Sequence, residues 1–208
     1  ALDANTTGNN NTAVGRVALS ANTTGVQNVA LGHNALTANN GNDNTAVGTS
    51  SLSSNTSGTE NSAVGSFAMG ANTSGSSNTA FGMDSLRNNT TASNNTAVGH
   101  DALRANTTGA FNVALGVSAL KANTTASDNV AVGSQTLLVN TTGTDNVAVG
   151  MQALTSNTTA SHNTAVGANA LDANTTGTQN TAVGSLSLDA NTTANNNTAI
   201  GYISLGAN

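Results

Sequence analysis

The sequence predicts an all-β protein, a parallel β-solenoid with one 17-residue coil per repeat and about twelve coils. A pentapeptide close to Asn-Thr-Ala-Val-Gly begins at Asn11 and occurs twelve times, at intervals of 17 residues except for one of 16. Gly and Asn-rich stretches interrupt every repeat at short intervals, so short strands fit between them and helices of useful length do not. A period of 17 is also too short for the helical repeats of roughly 33 or 34 residues.

The consensus is N-T-A-V-G-x-x-A-L-x-A-N-T-T-G-x-x, and its positions are numbered 1 to 17 from the first Asn. Position 3 is Ala and position 5 is Gly in all twelve copies, whereas positions 6, 7, 10, 16 and 17 vary freely. No linker, charge run or change of composition interrupts residues 1–208, which predicts one continuous array. Because the chain begins and ends inside a repeat, we expect the array to be a segment of a longer one.

Each part of the repeat has a predicted role. Positions 2–4 and 8–11 are predicted to form two short strands, and Gly at position 5 permits a tight corner between them. Position 10 varies and carries charged residues, so its face is expected to meet water. Period-two alternation then turns Val at position 4 and Leu at position 9 inward, and Ala at position 3 outward. At about 4.8 Å per coil, twelve stacked coils form a rod roughly 58 Å long.

An invariant Ala on an outward face suggests close approach of another surface. That surface is either a second copy of the chain, as in a trimer, or the opposite wall of a very flat coil. The first alternative predicts inter-chain packing at Ala13, Ala30, Ala46, Ala63, Ala80, Ala97, Ala114, Ala131, Ala148, Ala165, Ala182 and Ala199.

Asn recurs at positions 1 and 12 and supports two interpretations. The favoured one is a pair of amide columns that hydrogen-bond along the rod axis and close the turns. The alternative is N-glycosylation, because eleven position-12 residues begin an Asn-Thr-Thr or Asn-Thr-Ser sequon. These acceptors would be Asn5, Asn22, Asn55, Asn72, Asn89, Asn106, Asn123, Asn140, Asn157, Asn174 and Asn191.

Composition excludes several classes of protein. A net charge of −5 with only 4 Lys and Arg disfavours nucleic acid as a partner. No run of 18 apolar residues is present, so no membrane insertion is predicted. The absence of Cys excludes disulfides and thiolate metal sites. With 37% apolar and only 6% charged residues, the chain also lacks the composition typical of disorder.

The ionisable side chains all lie at variable positions, which argues against an enzyme, a metal site or a cofactor. Asp84 and Asp101 are one coil apart and either form a carboxylate pair or are solvated surface acids; the second is favoured. His33, His100 and His162 are expected at the surface rather than as metal ligands.

The string Asn-Thr-Ala-Val-Gly-x-x-Ala-Leu-x-Ala-Asn-Thr-Thr-Gly resembles a repeat of bacterial and phage proteins of the tail-fibre type. It is similar, more distantly, to the head repeats of trimeric autotransporter adhesins, which have the same Asn-x-x-Ala-Ile-Gly core in shorter coils. The resemblance covers the whole chain and implies a stalk, head or fibre at a cell or virion surface.

The expected function is therefore that of an extracellular structural fibre, stalk or filament built from stacked coils. Glycosylation and adhesion are additional properties that this expectation leaves open. The expected partner is the chain itself, end to end or laterally. Two alternatives remain: an ice-binding protein that uses its Thr ladders, and a receptor-binding adhesin head.

Overall fold

The computed structural model describes residues 1–206 and forms a β-solenoid with coils of about 17 residues, as the repeat predicts. Twelve parallel strands of three residues each follow one another in chain order in a single sheet. The strands are β1 Thr12–Val14, β2 Val29–Leu31, β3 Thr45–Val47, β4 Ser62–Val64, β5 Thr79–Phe81, β6 Thr96–Val98, β7 Val113–Leu115, β8 Val130–Val132, β9 Val147–Val149, β10 Thr164–Val166, β11 Thr181–Val183 and β12 Thr198–Ile200. Coils 1 to 12 take the numbers of their strands.

The strand register places identical repeat positions side by side. Ala97 of β6 pairs with Ala114 of β7, and the same repeat positions pair throughout the sheet. Backbone hydrogen bonds outside the strands also join neighbouring coils: the N–H of Leu103 donates to the carbonyl of Ala119 at 3.0 Å, and that of Ala105 donates to Lys121 at 3.0 Å. A coil thus satisfies most of its backbone polar groups only when it is stacked on its neighbours.

The second predicted strand is wrong, because positions 8–11 form turns. Position 9 has a left-handed backbone, with φ of 51° at Leu103 and 50° at Leu120, and the residue two places earlier is left-handed as well. Such angles break the alternation of a strand and bend the chain sharply. The strain is offset by burial, since both leucines are 0% exposed.

The predicted orientation of the first strand is also wrong. The eleven position-3 alanines from Ala30 to Ala199 are 0–2% exposed, whereas Val98 at position 4 is 40% exposed. The alanines and the position-9 leucines belong to one core cluster. Leu fills this narrow core from the other side of the coil, so only a small side chain fits at position 3. The invariance of Ala therefore reflects the opposite wall of its own coil. Inter-chain packing at these alanines is excluded where they are fully buried.

The prediction for Gly at position 5 is confirmed. Gly99 has φ of +135°, and a Cβ built there would lie 2.5 Å from the carbonyl oxygen of Gly116 in the next coil. The corner therefore needs Gly both for its backbone angle and for the close approach of the stacked chain.

Candidate functional site

Two columns of Asn side chains run along the inside of the rod. In the position-12 column, Asn106 Nδ2 donates to Asn89 Oδ1 at 3.0 Å and to the carbonyl of Gly109 at 2.9 Å. Asn106 Oδ1 in turn accepts from Asn123 Nδ2 at 2.9 Å. One amide thus links three coils and closes the turn of its own coil, as the favoured interpretation predicts.

The position-1 column has the same character. Asn112 donates from its backbone N–H to Asn95 Oδ1 at 2.9 Å, and from Nδ2 to the carbonyl of Ala126 at 2.9 Å. Both asparagines are at most 1% exposed. Because buried amides cost free energy unless they are hydrogen-bonded, the two columns hold the coils in one register.

The alternative interpretation, glycosylation at position 12, does not fit this arrangement. The acceptor atom would be Nδ2, which is inside the rod and already donates its hydrogens. Nine of the eleven candidates are 0% exposed and are not glycan acceptors in the folded rod. They are Asn22, Asn55, Asn72, Asn89, Asn106, Asn123, Asn140, Asn157 and Asn174. Asn5 is exposed and Asn191 half-buried, and their Nδ2 atoms still donate to Gly8 and Ala194.

The Thr pair at positions 13 and 14 divides into two roles. Position-13 hydroxyls are engaged internally: Thr90 Oγ1 donates to the carbonyl of Thr107 at 3.1 Å, and Thr107 Oγ1 donates to Thr124 at 2.9 Å. Position-14 residues such as Thr91 and Thr108 are exposed. The turn therefore presents one free row of hydroxyls rather than two.

The outer side of the twelve-stranded sheet, formed by positions 2 and 4, is named the sheet face. Its side chains include Val14 at 56%, Leu31 at 47%, Phe81 at 45% and Ile200 at 71% exposed. Apolar side chains in one continuous row on a surface are typical of interaction sites. Sequence reasoning missed this face because it turned Val inward.

Position 10 of coils 5 to 11 forms a row that is named the charged ridge and holds three of the four cations and two of the nine acidic residues of the chain. Its residues are Arg87, Arg104, Lys121, Leu138, Thr155, Asp172 and Asp189. These residues are 17 apart in sequence and occupy successive coils, so neighbours are about 4.8 Å apart. The three cations represent all but Arg16 of the Lys and Arg content. A groove of about 420 Å³ lies between Arg104, Lys121 and the aliphatic side chains of Leu138 and Val139.

The cations of the ridge contact the two aspartates that the sequence placed one coil apart. Arg87 Nη1 lies 2.9 Å from Asp84 Oδ1, and Lys121 Nζ lies 2.8 Å from Asp101 Oδ2. Arg104 Nε approaches Asp101 Oδ1 at 3.5 Å. Burial acts to raise the pKa of Asp101, but the hydrogen bond and charge of Lys121, aided by Arg104, outweigh it and lower the pKa.

A metal-ligating geometry exists at the same place. Ligand atoms of Asp84, His100 and Asp101 all lie within 4.8 Å of one another. The carboxylates, however, are held by the cations of the ridge, and a divalent ion would have to displace them against their repulsion. Charge balance therefore favours an ion-pair network over a metal site.

The far end of the ridge has the opposite character. Asp172 and Asp189 occupy adjacent coils, and no cation contacts them in residues 1–206. Burial, followed by the charge of Asp189, raises the pKa of Asp172 against the lowering effect of the Ala173 N–H. Within residues 1–206, the buried Asp189 Oδ1 has no hydrogen-bond partner. The ridge thus carries an unneutralised acidic pair.

The remaining ionisable residues are scattered along the rod. His33 Nε2 lies 3.2 Å from Arg16, and His162 lies 4.0 Å from Asp145. Within residues 1–206 these groups are not joined to a nucleophile and an orienting group in the way acyl or phosphoryl transfer needs.

Fold and surface together define a tandem-repeat β-solenoid protein with an amide-linked core, an aliphatic sheet face and a charged ridge. No family model, curated protein or solved structure matches this chain. Among the described residues there is no helix long and apolar enough to cross a membrane.

Proposed function

We propose that this chain is a rod-like structural segment of an extracellular fibre. The observation that carries the proposal is where the repeat positions lie that are invariant or, as at position 9 with its single Met69, nearly so. Ala at position 3, Gly at position 5, Leu at position 9 and Asn at positions 1 and 12 all serve the core and the axial hydrogen bonds. The larger changes of residue type fall mainly at the surface, whereas the buried position 8 varies only among Ala, Ser and Thr, as expected when shape and length are the function.

The mechanism is mechanical. Each coil is joined to the next by backbone bonds and by two amide columns. A force that separates coils must therefore break many hydrogen bonds together. With about 4.8 Å per coil, twelve coils give a rod on the order of 58 Å long.

The partner in this proposal is the chain itself, and the sheet face is the surface that joins laterally arranged copies. Its exposed aliphatic and aromatic side chains form one continuous row, and burying each contributes roughly 1.5–3 kcal/mol when it is removed from water completely. The position-3 alanines do not take part, because they lie behind the sheet.

Electron microscopy of the purified chain, with sedimentation of the same sample, tests this proposal. We expect thin rods that associate side by side. Phe81→Thr with Val98→Thr removes apolar surface from the sheet face and should reduce that association. Val117→Thr with Met151→Thr is the matched control, because these residues are 51% and 55% exposed but follow the strand rather than belong to it. Equal association of both variants, or globular wild-type particles, would overturn the proposal.

Surface location is a separate part of the proposal and rests on the repeat resemblance. Antibody labelling of intact cells or particles tests it, with labelling after permeabilisation as the comparison. Signal that appears only after permeabilisation would refute an extracellular fibre while leaving the rod intact. Adhesion to a receptor stays a prediction.

Ice binding is a second candidate, favoured by the sheet face. Position 2 is Thr in seven of the twelve strands: β1, β3, β5, β6, β10, β11 and β12. Hydroxyls such as those of Thr45 and Thr96 make no hydrogen bond within residues 1–206. Rows of Thr and Val at the strand spacing of about 4.8 Å form a regular array. Thermal hysteresis of freezing tests this function. Ice binding would be favoured over the fibre if hysteresis is lost in the double variant Thr45→Lys with Thr96→Lys, on the sheet face. The control double variant, Thr91→Lys with Thr108→Lys at position 14, should keep it.

A further inference from the structure

The charges of the ridge follow a symmetric order. From coil 4 to coil 12, position 10 is Gly, Arg, Arg, Lys, Leu, Thr, Asp, Asp and Gly. Leu138 of coil 8 is the midpoint. Arg87 and Asp189 each lie three coils from Leu138, on opposite sides of it. Arg104 and Asp172 each lie two coils from it, again on opposite sides.

A second copy of the chain can be placed by a half-turn about an axis that passes through Leu138 perpendicular to the rod. The Arg and Asp charges of its ridge then face charges of opposite sign on the first copy. The half-turn places Arg87 opposite Asp189, and Arg104 opposite Asp172. The same pairs recur on the other side of the axis, as in any interface with two-fold symmetry. A parallel, in-register arrangement would instead oppose Arg to Arg and Asp to Asp.

We propose that two copies of this chain pair through the charged ridge in antiparallel orientation, with Leu138 on the two-fold axis. The unneutralised Asp172–Asp189 pair of one copy receives the cations of the other. The acidic pair favours a cationic partner, because the charge of Asp189 acts to raise the pKa of Asp172 and no cation within residues 1–206 contacts either carboxylate. The opposing stretch carries three cations against the two aspartates Asp84 and Asp101, so it keeps an excess positive charge.

Shape supports the same arrangement. Position 11 beside the ridge is Ala in Ala71, Ala105 and Ala122, which lets another rod approach closely. At the axis, Leu138 and the 38%-exposed Val139 of both copies would meet as an apolar centre. Charged pairs around an apolar centre are the usual arrangement of a specific interface.

The interface is narrow. Eight coil intervals at about 4.8 Å give a strip roughly 38 Å long. A strip about 10 Å wide covers on the order of 400 Å² on each copy, at the low end for specific association. We therefore expect reversible pairing that weakens as salt is added, because screening shortens from about 10 Å at 0.1 M to about 3 Å at 1 M.

Cysteine cross-linking tests the orientation directly, because the chain has no Cys of its own. Leu138→Cys lies on the axis and should give a disulfide-linked dimer under mild oxidation in low salt, and less of it in high salt. Thr37→Cys occupies the same position in coil 2, far from the axis, and should stay monomeric. A parallel pair would link both variants, and a monomeric ridge would link neither; either result overturns the proposal.

Charge reversal provides the second measurement. Arg104→Asp and Asp172→Lys should each reduce dimer formation in sedimentation, and the two changes together should restore it. Arg16→Asp and Asp43→Lys are controls with the same changes of charge at exposed residues away from the ridge. Thermal unfolding by circular dichroism confirms that each variant is folded. Dimers that survive both single reversals, or that require calcium and dissociate in chelator, would overturn the proposal. Rods that still associate through the sheet face would leave the proposed function standing.

Discussion

Replacing a ladder amide by a carboxylate tests the physical basis of the rod. Asn106→Asp keeps the shape of the side chain but replaces the Nδ2 donor by an oxygen. That oxygen then faces Asn89 Oδ1 and the carbonyl of Gly109, which Nδ2 now contacts at 3.0 and 2.9 Å. Two hydrogen bonds become two repulsive contacts at a site that is 0% exposed.

The magnitude follows from these contacts. Each buried group left without a partner costs about 1–3 kcal/mol, so two lost bonds cost roughly 2–6 kcal/mol before the charge is counted. Burial should raise the pKa of the new carboxyl. The folded variant then favours the protonated acid, which regains one donor. The loss should therefore be largest at neutral pH and should shrink as the pH falls through that raised pKa.

Urea unfolding followed by circular dichroism, at neutral and acidic pH, measures both effects. Asn94→Asp is the matched control, because it makes the same chemical change at an exposed position 17. If Asn106→Asp lowers the unfolding midpoint no more than Asn94→Asp does, the amide columns do not stabilise the rod and the reasoning is wrong.

Four further changes follow from the core and the ridge. Gly99→Ala should prevent normal stacking, since its Cβ would lie 2.5 Å from a carbonyl oxygen of Gly116; circular dichroism and solubility report it. Leu103→Ala should cost about 2–5 kcal/mol in urea unfolding, as for other buried leucines. Asp101→Asn should lower the free energy of unfolding at neutral pH by about 1 kcal/mol. The folded state lowers the pKa of Asp101, so the ionised carboxylate stabilises the fold at pH values above the ordinary Asp pKa, and this contribution is lost as the pH falls through the lowered pKa. Asp172→Asn should do the opposite, because the raised pKa of Asp172 means that its ionisation destabilises the fold; thermal melts across acidic and neutral pH separate the two.

The sequence was sufficient to predict the solenoid, its period and the glycine corner, since each depends on spacing along the chain. It was insufficient to orient the strand. Positions 3 and 4 are both apolar, and alternation alone cannot decide which faces inward. The deciding fact is the width of the core, which Leu103 and its counterparts fill from the other side of the coil.

The turn at positions 8–11 was missed for a related reason. Leu rarely adopts positive φ, so Ala-Leu-x-Ala looks like a strand. Only the stacked coils compensate for this conformation, by burying Leu120 and giving its N–H an acceptor in Thr136 at 3.0 Å. Such compensation acts between coils and is not visible in any single repeat.

The charged ridge shows a different limit. Arg104 and Asp172 look like isolated surface residues in the sequence, because 68 positions separate them. Stacking converts a period of 17 into a distance of about 4.8 Å, so residues at variable positions become rows. A sequence search for local motifs cannot find a surface of this kind.

The single 16-residue interval shows which part of the coil tolerates a change of length. The missing residue falls in the turn, where Asn39-Asn40-Gly41 replaces Asn-Thr-Thr-Gly. Asn39 Nδ2 still closes this turn by donating to the carbonyl of Gly41 at 2.8 Å, and Asn40 Oδ1 accepts from the N–H of Thr23 at 2.8 Å. The strand register on both sides is unchanged.

Length in this turn is therefore separable from register in the core. Inserting one Thr between Asn40 and Gly41 should restore the common turn. The free energy of unfolding should stay within about 0.5 kcal/mol of wild type, as expected for a surface change. One Thr inserted between Ala46 and Val47 should unfold the neighbouring coils, because it turns Val47 to the opposite face of the strand and shifts the Gly48 corner out of register with the stacked coils. Circular dichroism melts of the two insertions compare them at equal chain length. Equal destabilisation by the two insertions would contradict this reasoning, because it would mean that the Asn-closed turn tolerates a change of length no better than the Ala-lined strand does.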